Sequence, residues 1–352
     1  MEEDLRRLLL VASEIRDSSK GNTITYSPKI FIPLSNLCSD RCLYCAYRKE
    51  PENGGGYIEI EEAVSLFKAG ASLGCTEALI MSGERPERRY EEARSFLKAR
   101  NVKSTAEYAR QIAEIALQHG LLPHINIGLL SEEEMLMLKE VSASMGLMLE
   151  STSERLLDKD GPHRFSPSKN PHLRLRMIES AGKLKIPFTT GILIGIGERP
   201  EDVADSLLAI RSLNEKYGHI QEVIIQPFRP ERGTPMENAR EPPLEFVQRV
   251  IAVARIVLGA RMNIQAPPNL VPCWKIVEAG ANDLGGISPL TSDLVNPAYP
   301  WPDIQLLKKE CERRGYSLRR RLPIYSEFIN RDGFVSERVR EVIRRLNVYE
   351  QA

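Results

Sequence analysis

No apolar run in the 352-residue chain approaches the roughly 18 residues of a membrane-crossing helix. Charge of one sign is lacking too, since 48 Lys plus Arg balance 48 Asp plus Glu. A non-specific nucleic-acid binder needs a cationic excess to displace counterions from phosphates, so a small molecule or a protein is the expected partner, with neither nucleic acid nor membrane. The opening Met1-Glu2-Glu3-Asp4-Leu5-Arg6-Arg7 lacks the basic start, apolar middle and small-residue cleavage site of a secretory leader. A cytoplasmic location is the expectation. Internal repeats, low-complexity tracts and a clear domain linker are also missing. Cysteine is scarce, with six residues. Three of them, Cys75, Cys273 and Cys311, stand isolated and read as small buried hydrophobes.

What is present is globular: 42% hydrophobic and 27% charged residues. Short apolar runs alternate with stretches of helical periodicity, the pattern of repeated βα units around a parallel sheet. Strands are predicted near 30–34 (residue 29 can begin the first), 76–82, 122–128, 145–150, 188–195, 220–227, 262–265 and 283–287. Ser131 with Glu134 three residues on is a capping-box signal for the helix that carries Met135, Leu136 and Leu138. Ala63, Val64, Phe67 and Ala71 fall near helical spacing and predict a core-facing stripe. The fold class is therefore α/β, a TIM-like (β/α) barrel of six to eight units with a C-terminal extension. It divides into a helical segment over 1–24, a barrel core over 25–270, and a barrel-completing, substrate-binding region over 271–352. In such barrels, functional groups sit at the carboxyl ends of the strands and in the loops that follow.

Directly after the first strand the chain reads Cys38-Ser39-Asp40-Arg41-Cys42-Leu43-Tyr44-Cys45. A short loop can wrap three thiols around one centre. Three thiolates suit a cubane [4Fe–4S] cluster and leave one iron open to a substrate. The alternative, a structural zinc site, needs a fourth ligand, and no His or further Cys lies nearby in sequence. Gly195-Ile196-Gly197 lacks the third glycine of a dinucleotide fingerprint and does not open the first βα unit.

The triple-cysteine spacing, with the aromatic Tyr44 before the third Cys, resembles the radical S-adenosylmethionine (SAM) superfamily. That resemblance implies that the open iron chelates SAM, that reduction splits it into methionine and a 5′-deoxyadenosyl radical, and that the radical takes hydrogen from substrate. It also implies a nucleotide site. Met81-Ser82-Gly83-Glu84 is similar to the superfamily's Gly-Gly-Glu motif, with Gly83 letting the backbone approach the methionine amino group and Glu84 supplying negative charge. Glu150 is placed against the nucleoside, Arg174 (or Arg176) against the methionine carboxylate, and Ile196 against adenine.

Longer segments resemble the CofG-type deazaflavin synthases. They include Phe31-Ile32-Pro33-Leu34-Ser35-Asn36-Leu37-Cys38, Gln226-Pro227-Phe228-Arg229, and the run from Ala281-Asn282-Asp283-Leu284-Gly285-Gly286 to Pro300-Trp301-Pro302. This implies closure of a deazaflavin ring in coenzyme F420 biosynthesis. It implies an electron donor, and as partner a CofH subunit or its diffusible product. Asp283, Ser288, Asp293 and Asn296 become candidate uracil or ribityl contacts, or else turn and cap residues. CofH-like and menaquinone-pathway enzymes share the cluster motif and remain alternatives, as does a zinc-binding interaction module. Arg313, Arg314 and Arg319-Arg320-Arg321 form a basic cluster that either faces a partner such as a CofH subunit or, as the expectation favours, lies on a solvated surface, and a surface or capping helix is predicted over 336–346.

Overall fold

The structure, a computed structural model, describes residues 2–346. Eight parallel strands close into a barrel: β1 (Thr23–Ser35), β2 (Glu77–Ser82), β3 (Leu122–Asn126), β4 (Ser144–Gly146), β5 (Phe188–Ile194), β6 (Ile220–Pro227), β7 (Asn263–Gln265) and β8 (Asp283–Ile287). Each pairs with the next, and β1 closes the ring by pairing with both β8 and β2. Helices pack outside, as a parallel sheet buried on both faces requires. No helix among the described residues is long and apolar enough to cross a membrane.

All eight expected strands are present, and the differences have local causes. β1 begins earlier, at Thr23, because its polar first half Thr23–Tyr26 pairs with a ninth strand, β9 (Ser317–Arg320). β9 itself was hidden inside the basic cluster. β4 is shorter than expected because its ladder bulges. Leu147 N–H still donates to Thr189 O and Glu150 N–H to Gly191 O, so three steps on one strand meet two on the other. The spare Leu149 N–H turns to Thr190 Oγ1 at 3.2 Å, and Glu150 takes a left-handed φ of 66°.

The helix Ile60–Ser72 buries Ala63, Phe67 and Gly70. Ala71, expected in that stripe, is exposed. Gly70 turns the face because a Cβ there would lie 2.7 Å from Ile30 Cγ2. The capping box forms as expected: Ser131 Oγ accepts from Glu134 N–H, and the Glu134 carboxylate accepts from Ser131 N–H. Cys75, Cys273 and Cys311 are buried.

The amino end of the barrel is plugged by charge, which corrects two expectations. Arg321 is not a solvated surface residue. The turn after β9 carries it beneath the barrel, where Nε donates to Asp283 Oδ2 at 2.6 Å and a terminal nitrogen to Glu222 Oε1 at 2.6 Å. Asp283 is not at the mouth. It begins β8, is fully buried, and its oxygens are taken by Arg321, Thr25 and the Gly285 N–H. Asp283 therefore belongs to the floor, with its carboxylate already engaged by the protein. Tyr325 hydroxyl adds a bond to Glu222 at 3.1 Å. Burial pushes the Glu222 carboxyl up to about 7 against the pull of Arg321. Asp283 is held below the usual range, because Arg321 outweighs its burial.

Candidate active site

The loop carrying the three cysteines crosses the mouth between β1 and the segments after β2, β4 and β6. Its backbone is tied at several points. Ser39 N–H donates to Glu84 O (2.7 Å), Arg41 N–H to Phe165 O (3.0 Å) and Leu43 N–H to Pro162 O (2.9 Å), while Met236 N–H donates to Leu43 O (3.3 Å). Beneath it, Asp40 is buried and accepts a hydrogen bond from Ser168. A loop fixed by neighbouring strand ends can hold three thiols at one place without a helix or strand of its own.

Gly83 is what lets the loop descend. A Cβ there would lie 2.2 Å from Leu37 O and 2.6 Å from Cys38 Cβ. Its bareness thus serves the cysteine loop itself, in addition to any approach of a ligand. Glu84 N–H then donates to Cys38 Sγ at 3.1 Å, the kind of amide contact that tunes an iron-sulfur centre. The Glu84 side chain turns inward. One oxygen accepts from Leu129 N–H at 3.0 Å, while Oε1 is buried and finds no partner among the described residues. Burial raises its carboxyl above the ordinary range. Gly128, which the sequence reading passed over, makes room for it: a Cβ there would fall 2.3 Å from Glu84 Oε2. The available signal was its place, two residues after β3, much as Gly83 follows β2.

The segment after β4 brings three charges together. Glu150 forms an ion pair with Lys169 and lies 3.8 Å from Arg174. Burial alone would raise the Glu150 carboxyl, but Lys169 and Arg174 hold it below the usual range. Lys169 is kept protonated by Glu150 despite burial, and its charge acts on Cys42. Arg174 is buried in the helix Pro171–Lys183 and donates from Nε to Met148 O (2.5 Å) and from NH1 to Ser168 O (3.1 Å). Arg176 is exposed and, among the described residues, donates back to His172 O. Of the two arginines, only Arg174 faces the site. Lys169 and His163 were missed, because Ser166-Pro167-Ser168-Lys169 carries no pattern that separates a buried lysine from a solvated one.

His163 Nε2 lies 2.9 Å from Tyr44 hydroxyl, with the rings edge to face at 5.6 Å. Burial keeps His163 neutral, its pKa depressed to about 3. Tyr44 also packs on an apolar patch of Leu156, Leu193, Ile196 and Phe228. Ile196 sits on the β5 turn, which Glu198 clamps by accepting from Gly195 N–H (2.6 Å) and Ile196 N–H (2.9 Å).

The loop after β8 holds the remaining candidates, and their side chains close its turns. Ser288 Oγ accepts from Thr291 N–H (2.9 Å) and Leu290 N–H (3.2 Å). Asp293 Oδ1 accepts from Val295 N–H (2.9 Å) and Asn296 N–H (3.1 Å), and Oδ2 from Asn269 (2.9 Å) and Asn296 (3.2 Å).

Among the described residues no group of three His, Cys, Asp or Glu side chains already forms a metal shell, and the cysteines are free thiols. Burial pushes Cys38 up to about 12 and Cys42 up to about 11. Such thiols ionise only for a strong cation, which binding a cluster supplies. The residues fit the group in two respects. All-sulfur donors select iron-sulfur chemistry over harder metals, and the orphaned Glu84 carboxylate oxygen beside the loop awaits a cationic or N–H-bearing ligand.

Comparison with known proteins agrees with this geometry. Residues 32–210 match the radical SAM superfamily. The chain is 48% identical to a 7,8-didemethyl-8-hydroxy-5-deazariboflavin synthase of Methanothermobacter thermautotrophicus, over 92% of this chain and 98% of the relative. It is 43% identical to an FO synthase of Nocardia farcinica, over 93% of this chain but 40% of that longer protein. Among solved structures, methylornithine synthase shares the fold, with a TM-score of 0.70 at 22% identity and 90% of each chain covered.

Proposed function

The chain belongs to the radical SAM superfamily and, within it, to the 7,8-didemethyl-8-hydroxy-5-deazariboflavin synthase family, and we propose that it closes the deazaflavin ring. The proposed substrate is 5-amino-5-(4-hydroxybenzyl)-6-(D-ribitylimino)-5,6-dihydrouracil. The products are the deazaflavin, ammonia, 5′-deoxyadenosine and methionine, which makes the reaction a carbon–nitrogen lyase step with net oxidation.

The observation that carries this reading is the thiol loop pinned over an unpartnered Glu84 oxygen, in a chain whose relatives across its length make this chromophore. Cys38, Cys42 and Cys45 would hold a [4Fe–4S] cluster, which supplies the electron that cleaves SAM. Glu84 accepts from the methionine ammonium, and Arg174 balances the Glu150 charge beside the methionine carboxylate. Tyr44, Ile196 and the clamped β5 turn form an apolar wall on the adenine side. Gly83 and Gly128 keep both the loop and Glu84 in place. Ser288, Asp293 and Asn296 shape the loop over the substrate, and the barrel wall excludes water from the radical. The partner is a CofH-type enzyme or its released adduct, together with an electron donor.

The test is anaerobic turnover. A fluorescent deazaflavin should form only when the adduct, SAM and reductant are all present, and deuterium at the reacting carbon should appear in 5′-deoxyadenosine. Formation of the adduct from free tyrosine and the ribitylaminouracil would place the chain with the CofH-like enzymes instead.

A further inference from the structure

Between the floor and the mouth the barrel encloses a cavity of about 90 Å³, lined by Lys29, His124, Asn126 and Gln265. Its polarity is built at the expense of strand side chains. A Cβ at Gly286 would fall 1.5 Å from Lys29 Cε, and one at Gly285 would fall 2.0 Å from Gln265 Nε2. Two consecutive glycines in β8 therefore hold open the space these side chains occupy.

The hydrogen-bond character of His124 follows from its neighbours. Ser144 Oγ lies 2.7 Å from Pro323 O, an acceptor only, so the hydroxyl hydrogen goes there. Ser144 can then only accept from His124, whose Nδ1 is 2.7 Å away. The hydrogen is on Nδ1, and Nε2 is a bare lone pair on the cavity side, where a Cβ on Gly146 would approach it to 2.8 Å. Lys29 offers three donors and forms an ion pair with Glu77 at 3.7 Å. Asn126 and Gln265 each present a donor and an acceptor. Lys29 and Arg321 together offset Glu77 and Glu222 on the lining, so the cavity has little net charge to offer an ion.

We propose that this cavity is the polyol subsite, and that the ribityl chain of the substrate threads into it and bonds Lys29, His124, Asn126 and Gln265. The assignment rests on the substrate proposed above and fixes which part of that substrate points down the barrel. A chain of hydroxyls, each both donor and acceptor, matches a wall that mixes a donor-only ammonium, an acceptor-only imidazole and two amides. A phenol ring would leave most of these groups desolvated and unpaired, and an anionic group would find the cations Lys29 and Arg321 already paired with Glu77 and Glu222. The volume of about 90 Å³ admits several water-sized groups. With the chain seated here, the uracil and the hydroxybenzyl ring lie toward the cysteine loop, where hydrogen abstraction takes place.

The reconstituted full-length enzyme is given two adducts, one with the ribityl chain and one with a methyl group in its place. Wild type should prefer the ribityl adduct. Gln265→Leu should lower kcat/KM for that adduct about three- to tenfold, mainly through KM, as expected for one lost hydrogen bond, and leave the methyl adduct unchanged. Asn126→Leu, on another strand, should do the same and serves if the first variant fails to fold. Equal losses for both adducts, or a wild type indifferent to the chain, would overturn the assignment. A wild type that cleaves SAM but makes deazaflavin from neither adduct would refute the proposed reaction itself, and the subsite with it.

Discussion

The two ends of the barrel are both rich in buried charge, yet they use it in opposite ways. At the floor, Arg321 bonds Asp283 and Glu222, and Tyr325 and Thr189 complete the Glu222 shell. At the mouth, Glu84 Oε1, Arg229 Nε, Glu231 Oε1 and Asn269 Oδ1 are buried without a partner among the described residues, whereas the amino end has Thr76 Oγ1 and His219 Nδ1, ahead of the non-adjacent strands β2 and β6 and outside the Arg321 network. An unsatisfied buried polar group costs about 1 to 3 kcal/mol, so a fold keeps several together only where a ligand completes them. The difference separates charges that hold the protein from charges that wait for something to hold. Both ends contain buried acids, and burial by itself does not tell them apart.

The sharpest break between the ends should come from the thiols. Cys38→Ala, Cys42→Ala and Cys45→Ala are each expected to lose the iron and to reduce 5′-deoxyadenosine formation by at least about 10³-fold, because ligands acting as one set are not additive. Circular dichroism should show the fold retained. Iron and cleavage surviving any one substitution would remove that cysteine from the set.

The floor should respond in the reverse sense. Arg321→Met leaves Asp283 and Glu222 buried without their cation, a loss of about 3 to 5 kcal/mol. Denaturant unfolding should report that loss, while iron loaded into the folded fraction still supports SAM cleavage. A variant as stable as wild type would show that the floor network is replaceable packing. Back at the mouth, Glu84→Gln keeps the shape but removes the charge. SAM affinity should fall roughly ten- to 150-fold, the equivalent of about 1.5 to 3 kcal/mol for a charge-assisted bond, with the cluster intact. Unchanged affinity would take Glu84 out of the nucleotide site.

The pH dependence probes the amino end outside the floor network, where His219 packs under the helix Pro171–Lys183. Burial depresses His219 to about 4 from an ordinary value of 6.5. The unfolded chain thus binds a proton between those values that the folded protein refuses. Stability is full above pH 6.5 and falls as pH drops toward 4, by about 2 kcal/mol at pH 5 for this one residue. His219→Gln can still donate to Ile178 O, which the imidazole Nε2 contacts at 2.8 Å. The variant should flatten the acid slope by about one proton, and an unaltered slope would show that His219 titrates normally.

The sequence revealed the mouth far better than the floor. Thiol spacing and a Gly-Glu pair after a strand are local patterns, because one loop must present its ligands in order, and Cys38, Cys42, Cys45 and Glu84 could be found by reading along the chain. The strand positions were legible for the same reason, through apolar runs of the right length. The floor joins Thr25, Glu222, Asp283 and Arg321 from four distant segments, and nothing local marks an arginine that will be carried under a barrel. Arg321 therefore read as surface and Asp283 as mouth. Lys169 escaped notice in the same way, since its partner Glu150 is supplied by another segment. Gly285 and Gly286 were visible as residues, but their purpose was not, because the side chains they make room for, Gln265 and Lys29, come from β7 and β1.

The smallest expected effect tests where the boundary between the two kinds of charge and polarity runs. Ser288 lies on the loop after β8, at the mouth, yet its hydroxyl is engaged like a floor group: it accepts from two backbone N–H groups, and Thr291 Oγ1 lies 2.8 Å away. A hydroxyl already occupied by its own turn has little left for a substrate. Ser288→Ala should therefore cost about 0.5 to 1.5 kcal/mol of stability, the worth of an ordinary hydrogen bond, and leave KM for the adduct within about twofold of wild type. Because Trp301 Nε1–H donates to Thr291 O at 3.1 Å and stacks on Phe31 at 5.5 Å, the loosened turn should also shift tryptophan fluorescence, independently of turnover. A KM rise of tenfold or more with unchanged fluorescence would make Ser288 a substrate contact, and would extend the ligand-binding mouth to the loop after β8.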